Sequence, residues 1–414
     1  MQMRKAKFIL LALLAVFTLF FSNDFGLIDV EKTSIITAIA IDKEQDDYLI
    51  TAQIAVPEAT DANTENKKAE IVGRGKTVGE ALKNLGNVSG WFPKLAFCNL
   101  IILGNSLSQT NVVKVLDYFA KTLRIQDSAL VALAEKDAKE LLSLSTPLDN
   151  ISSFALQKIM LKNPGFDRDV CASDIKTFCA GHYSPSGSAF MPLVKVVSSK
   201  SGNQDSESDS SGTSSNSSNS MQSGSSSAGT SGGQSQGGNS NNNLFDARTT
   251  ALFKDGFKVG ELSPELTVTL NSFFASLDDT TLSVENVPYM DKTCNFLLNV
   301  ESSSPCIKIF ADDNRLKIEF SLSIFCKISD VNTDSSDQAL SENKPLPYAL
   351  KTKAEQMLSE RITTLIETSQ RTGCDIFRIK EKLYRYHNKQ YSRYKDNYLS
   401  VMDFSVKTEV NSQL

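Results

Sequence analysis

Residues 198–243 are built almost wholly from Ser, Gly, Asn, Gln and Thr, with Met221 and Ala228 the only apolar side chains among 46 residues. So little apolar surface cannot repay the entropy of ordering the backbone, so no packed layer runs through this stretch. It reads as a flexible, solvated tether or loop, with a root-mean-square span of roughly 35–40 Å for a Gly/Ser-type coil. The chain is expected to fold on either side of it, as an N-terminal α/β part over residues 29–197 and a C-terminal α/β part over residues 244–414. With 414 residues and 41% hydrophobic content, those parts can bury the cores of two to three domains at about 150 residues each.

A leader over residues 1–28 precedes them. Arg4, Lys5 and Lys7 stand before residues 8–21, which carry no charge and a single hydroxyl, Thr18. A basic trio ahead of an apolar run is the pattern of an export signal or a membrane anchor, and the positive-inside bias sends the following chain across the membrane. No small-x-small cleavage pair follows in Ser22-Asn23-Asp24-Phe25-Gly26, and the first cysteine is Cys98. The expectation is an uncleaved, unlipidated N-terminal membrane anchor, with the fold on the exported side. Fourteen helical residues cover about 21 Å, so Lys7 and Ser22 would sit near the two interfaces.

The formal charge of −5 gives no global basic field and excludes nucleic acid as a partner drawn by whole-protein electrostatics. Seven cysteines without any C-x-x-C pair describe neither a disulfide scaffold nor a zinc site. In an oxidising compartment Cys171 and Cys179 are a candidate bridge, and most of the seven read as small buried residues.

Alternation at Ile35, Thr37, Ile39 and Ile41, and again from Tyr48 to Val56, predicts a β-hairpin with a loop of four to six residues. Thr77-Val78-Gly79-Glu80 has capping-box spacing ahead of a helix carrying Val78, Ala81, Leu82 and Leu85. Strands at 99–103, 130–133 and 191–197 alternate with helices at 112–123, 138–142 and 151–162, which makes this half a mixed or α+β layer. In the second half, Lys254-Asp255-Gly256 predicts a tight hairpin turn and Ser263-Pro264-Glu265 a capped helix. Strands at 306–310 and 316–328, a helix over 348–369 ending before Gly373, and a final strand at 402–410 complete the reading. The fold class is α+β with mixed sheets packed against helices in two to three domains.

A search for chemistry yields no catalytic, cofactor-binding or metal-binding residue. His182 and His387 lack a second ligand at metal spacing, and His182 reads as a loop residue. Gly75-Lys76-Thr77 suggests a phosphate loop, but Glu70 occupies the position of its first glycine, so the glycines read as a turn before the helix. Gly86 to Gly90 has G-x-x-S-G instead of a nucleophile-elbow spacing. Asp278-Asp279 and Asp312-Asp313 fall at turns. Residues 378–395 hold seven basic side chains against one acid, interleaved with Tyr384, Tyr386, Tyr391 and Tyr394. That local field suits a solvated helix face, or contact with anionic lipid or an acidic partner.

Several fragments, in order, carry a resemblance: Thr37-Ala38-Ile39-Ala40-Ile41-Asp42, Tyr48 to Ile54 ending at Pro57, and Gly75-Lys76-Thr77-Val78 with Glu80-Ala81. Leu100-Ile101-Ile102-Leu103-Gly104, Leu116-Asp117, and Ala138 with Leu141-Leu142 follow. Ala251-Leu252-Phe253-Lys254 with Gly260-Glu261-Leu262, and Cys374-Asp375-Ile376-Phe377, close the series. Together they resemble the Ger(x)C family, the C subunit of spore nutrient-germinant receptors. Two positions depart from it: residues 22–31 hold neither the family's lipid-accepting cysteine nor its Trp-Asp pair, and Asn99 stands where the family often has a histidine.

The resemblance implies a three-domain α/β protein without a catalytic role. It implies a place on the outer face of the inner spore membrane beside two integral membrane subunits, acting in nutrient-triggered spore germination. From the residues alone, the reading is an anchored extracytoplasmic binding protein. The alternatives are a solute-binding protein, which needs a hinged ligand cleft, and a cell-envelope hydrolase, which needs a convergent polar site.

Overall fold

Strand β1 (Thr33–Glu44) turns back into β2 (Asp47–Ala55) through Gln45 and Asp46, with Gln45 at φ 54°. The hairpin is the one expected, but its loop has two residues, because the ladder continues through polar residues 42–44. The computed structural model describes residues 33–55, 68–122, 125–149, 151–161, 169–198, 243–274, 280–289, 292–312, 315–332 and 345–412, together with Leu13. The expected membrane run, Leu13 apart, lies outside them, as do Asp278, Asp279 and Asp313. Among the described residues no helix is long and apolar enough to cross a membrane.

The chain continues through β3 (Lys68–Gly75), α1 (Val78–Ser89), β4 (Phe92–Lys94), β5 (Leu100–Leu103), α2 (Val113–Thr122), β6 (Leu130–Ala134), α3 (Ala138–Ser143) and α4 (Ser152–Met160). Then come β7 (Ser173–Asp174), α5 (Ile175–His182), β8 (Ser188–Ser198), β9 (Asn243–Lys254) and β10 (Phe257–Leu262). All ten strands form one mixed sheet in the order β10-β9-β8-β6-β5-β1-β2-β3, with β4 beside β1 and β7 beside β6. Strands β1, β5, β6 and β8 run parallel in its centre.

Both faces are covered, which is why Leu100, Ile101, Ile102 and Leu103 are all apolar and all fully buried. One face packs Ile39, Ile41, Ile101 and Leu103 under α1, α2 and α5. The other sets the small side chains of Ala38, Ala40, Ala132 and Ala134 against Leu141, Leu142 and Leu156 of α3 and α4. Thr77 caps α1, where the Glu80 N–H donates to Thr77 Oγ1 over 3.2 Å, and the Glu80 carboxylate reaches past the cap to accept from the Lys76 N–H at 2.8 Å.

The second layer is a four-stranded sheet of β11 (Thr280–Tyr289), β12 (Lys292–Ala311), β13 (Leu316–Asn332) and β14 (Met402–Asn411), with β13 and β14 parallel. Helices α6 (Pro264–Phe274) and α7 (Tyr348–Thr372) cover it, and Leu350, Ala354, Leu358, Ile362 and Leu365 of α7 are buried as one stripe. Gly373, at φ 69°, ends α7 with its N–H on the Ser369 carbonyl. Short helices α8 (Ile379–Tyr386), α9 (Asn388–Tyr394) and α10 (Tyr398–Val401) lead into β14.

The stretches on either side of residues 198–243 share a sheet. Strands β8 and β9 are antiparallel neighbours, and Ser198 stands opposite Asn243. The low-complexity run therefore joins two adjacent strands of the first sheet, and residues 243–262 belong to that sheet. Composition showed that the run itself cannot pack; it held no information on where its two ends lie. Replacing residues 199–242 by a four-residue Gly/Asn turn shortens the loop by more than three doublings, worth about 2 kcal/mol of closure entropy. The thermal midpoint is expected to rise by a few degrees in calorimetry, and a fall would show that the run contributes packing of its own.

Candidate functional site

The fragments that carry the resemblance converge on buried polar positions. Asp42, near the end of β1, is 7% exposed, and its two carboxylate oxygens accept the N–H groups of Ala138 and Lys139, each at 2.9 Å. It thereby caps α3 from 96 residues away, while Asp137, in the local cap position, makes no side-chain capping bond. Burial pushes the Asp42 carboxyl above its ordinary range, against the pull of those two N–H groups. Gly104 lies against the carboxylate, so that a Cβ there would overlap Asp42 Oδ1. Asp42, Gly104 and Ala138 thus form one device.

A second device closes the other half. Asp375 is fully buried; its oxygens accept from the N–H groups of Ile379 and Lys380, each at 2.8 Å, and its own N–H donates to Ser188 Oγ at 2.8 Å. It caps α8 and ties the C-terminal layer to β8 of the first sheet. Burial raises its carboxyl, while the two N–H groups, Tyr398 and the Lys254 charge oppose that rise. Cys374 beside it donates its thiol to the Phe253 carbonyl at 3.4 Å. Gln53 in β2 makes a third cap, accepting from the Ser153 N–H at 3.1 Å and donating to the Leu142 carbonyl and Ser152 Oγ.

The other singled-out residues also take structural places. Gly73 and Gly75 lie inside β3, and a Cβ on either would collide with Ala81 of α1. They permit close packing of helix on strand, which corrects the reading of a turn. Ser89 ends α1, donating to the Gly86 carbonyl at 3.3 Å. His182 is the last residue of α5, not a loop residue, because the helix continues through Gly181. Its ring meets Tyr183 edge-on at 4.9 Å, and its Nδ1 has no hydrogen-bond partner among the described residues. The Asp312 carbonyl accepts the Tyr394 hydroxyl at 2.6 Å.

Cys171 and Cys179 are free thiols packed with different cores, so the possible bridge is not formed. Burial pushes Cys98, Cys171, Cys326 and Cys374 up to about 12 and Cys179 to about 11, where a thiol is not a nucleophile at neutral pH. Among the described residues, no group of three His, Cys, Asp or Glu side chains is placed to hold a metal.

What the molecule offers a partner is surface. Helices α8 and α9 are pinned by Ile379, Leu383 and Tyr394, and Arg378 lies over the Phe274 ring at 5.4 Å. Tyr384, Arg385, Tyr386, Lys389, Arg393 and Lys395 face outward, with Tyr384 and Tyr391 stacked edge-on at 5.1 Å. A cavity of about 570 Å³ opens beside α1, between Lys83, Gly86, Trp91, Pro93 and Tyr118. A second, of about 440 Å³, lies between α6, β11 and α7, where burial lowers Arg361 below the usual arginine range and Glu265 opposes the shift.

Two family models match consecutive stretches of the chain: the spore germination protein N-terminal domain over residues 27–196, and the spore germination B3/GerAC-like C-terminal domain over residues 248–414. Among solved structures, the crystal structure of the GerBC protein is similar, with 16% identity, a TM-score of 0.49, and 93% of this chain and 99% of that chain covered. No curated protein matches the sequence. With both models in chain order over most of its length, the chain belongs to the GerAC-like family of spore germination proteins.

Proposed function

We propose that this protein is a non-catalytic subunit of a spore germinant receptor, held on the exported face of the inner spore membrane by residues 8–21 and assembled with two integral membrane subunits. The observation that carries the reading is the match of both spore germination models in chain order. The burial of Asp42, Gln53 and Asp375 supports it, because the polar residues behind the resemblance serve the fold. Association through outward aromatic and basic side chains follows from the usual concentration of interface energy in such residues.

The test is recovery of the candidate membrane subunits with the tagged chain, alongside nutrient-triggered germination of the same spores. Alanine at Tyr384, Tyr386 or Arg393 is expected to reduce both, by about tenfold in affinity for an anchoring residue. His182→Ala and His387→Ala are expected to change neither. A histidine variant that abolishes germination at normal protein level and normal partner recovery would establish chemistry at that residue.

A further inference from the structure

The topology gathers an exposed apolar patch at one end of the first sheet. Strand β3 ends at Gly75 opposite Tyr48, next to the β1–β2 turn, and α1 runs back from there to the end where β1 begins. There Gly90, in the left-handed conformation at φ 70°, turns the chain into β4, whose Phe92 pairs with Thr33, the first residue of β1. Val88, Trp91, Phe92, Phe97 and Ile35 therefore lie toward this end, and all five are exposed. Lys83 and Lys94 are exposed among them, and residues 81–99 contain no Asp or Glu.

This is also the end at which the chain arrives from the apolar run. Residues 22–32 separate position 21 from Thr33, and eleven residues reach at most about 40 Å when fully extended. A bilayer holding residues 8–21 is thus within reach of the Trp91 patch. Aromatic side chains flanked by lysines, in a segment 81–99 without Asp or Glu, match the headgroup layer in both polarity and charge.

We infer that the Trp91–Phe92–Phe97 patch is a membrane seat that rests in the interfacial layer of an anionic phospholipid bilayer and fixes the orientation of the sheet over the membrane. The inference rests on the anchoring of residues 8–21 proposed above. The patch adds an orientation that an eleven-residue connection alone does not impose. Lys83 and Lys94 give it the preference for anionic lipid.

Trp91 is the sole tryptophan of the chain, so its fluorescence reports on this patch alone. The full-length chain is reconstituted into vesicles of phosphatidylcholine and phosphatidylglycerol in equal parts, with and without lipids brominated near the carbonyl region, and floated on a density gradient. The expected result is flotation, a blue-shifted Trp91 emission and roughly twofold quenching by the brominated lipid. Lys83→Gln and Lys94→Gln are each expected to lower the ratio of seated to free molecules about fivefold without affecting flotation.

Flotation with Trp91 emission indifferent to the brominated lipid overturns the seat while leaving the anchor standing, and would assign the patch to a protein subunit. Loss of flotation overturns the anchor and the seat together.

Discussion

Replacing Asp375 by alanine is expected to lower the thermal midpoint of the full-length chain by roughly 10 °C. The carboxylate supplies the acceptors for the Ile379 and Lys380 N–H groups, and in its absence the first turn of α8 has no substitute, since Arg378 makes no capping bond. Each donor so stranded costs about 1–3 kcal/mol, and the helix loses the negative charge at its N-terminus, worth up to about 1 kcal/mol more. Asp375→Asn keeps one carbonyl oxygen but turns an amide N–H toward the other donor, so about half of the loss is expected.

The pH dependence gives a second reading of the same site. Burial raises the Asp375 carboxyl above its ordinary 3.8, so the folded chain holds this proton where the unfolded chain has released it. The contribution to stability is complete below the ordinary value and is lost as the pH rises through the raised one. Asp375→Asn removes that dependence. Calorimetry of both variants across pH checks the pair of expectations, and a loss below two degrees for the alanine variant would show that α8 is held by Ile379 and Leu383 alone.

Elements whose cause is local were legible in the sequence. Thr77 and Glu80 cap α1 with their own neighbours, Gly373 ends α7 by the sign of its φ, and the Asp255-Gly256 turn between β9 and β10 has both residues at positive φ. The stripe on α7 follows from 3.6-residue periodicity. Elements whose cause is distant were not. Strand β12 begins at Lys292, and the polar stretch Ser302-Ser303-Ser304 near its middle interrupts the apolar alternation. Those residues pair with Phe325, Ile324 and Ser323 of β13, a ladder set by partners 19 to 23 residues away. Strand β11 was missed altogether.

The same division applies to the motif residues. Asp42 read as the first residue of a polar loop because Asp42, Asp46 and Asp47 have the composition of one. Its partners, Ala138 and Lys139, carry no local mark, and Asp137 offers a plausible cap that the structure does not use. Gly73 and Gly75 read as a turn because glycine permits one, and nothing in the sequence shows that α1 packs directly on them. The order of such fragments pointed to the family. Their physical roles required the packing.

Gly104→Ala is expected to cost about 3 kcal/mol by itself, and almost nothing further once Asp42 has been replaced by alanine. Gly104 has φ −74°, a conformation open to any residue, so backbone strain has no part in the effect. The obstacle is the Asp42 carboxylate: a Cβ at position 104 would overlap Oδ1 and lie 2.9 Å from Cγ, while its next neighbour, the Ala138 nitrogen, would be at an ordinary 3.4 Å. The methyl group therefore expels the carboxylate from the N-terminus of α3 and strands the Ala138 and Lys139 donors, which is also what Asp42→Ala does. Two substitutions with one consequence do not add, and the double variant should melt within about 2 °C of Asp42→Ala. A double-mutant cycle by thermal or urea unfolding measures the coupling. Additive losses would mean that Gly104 serves some contact other than the cap, and the joint role assigned to Asp42, Gly104 and Ala138 would fall.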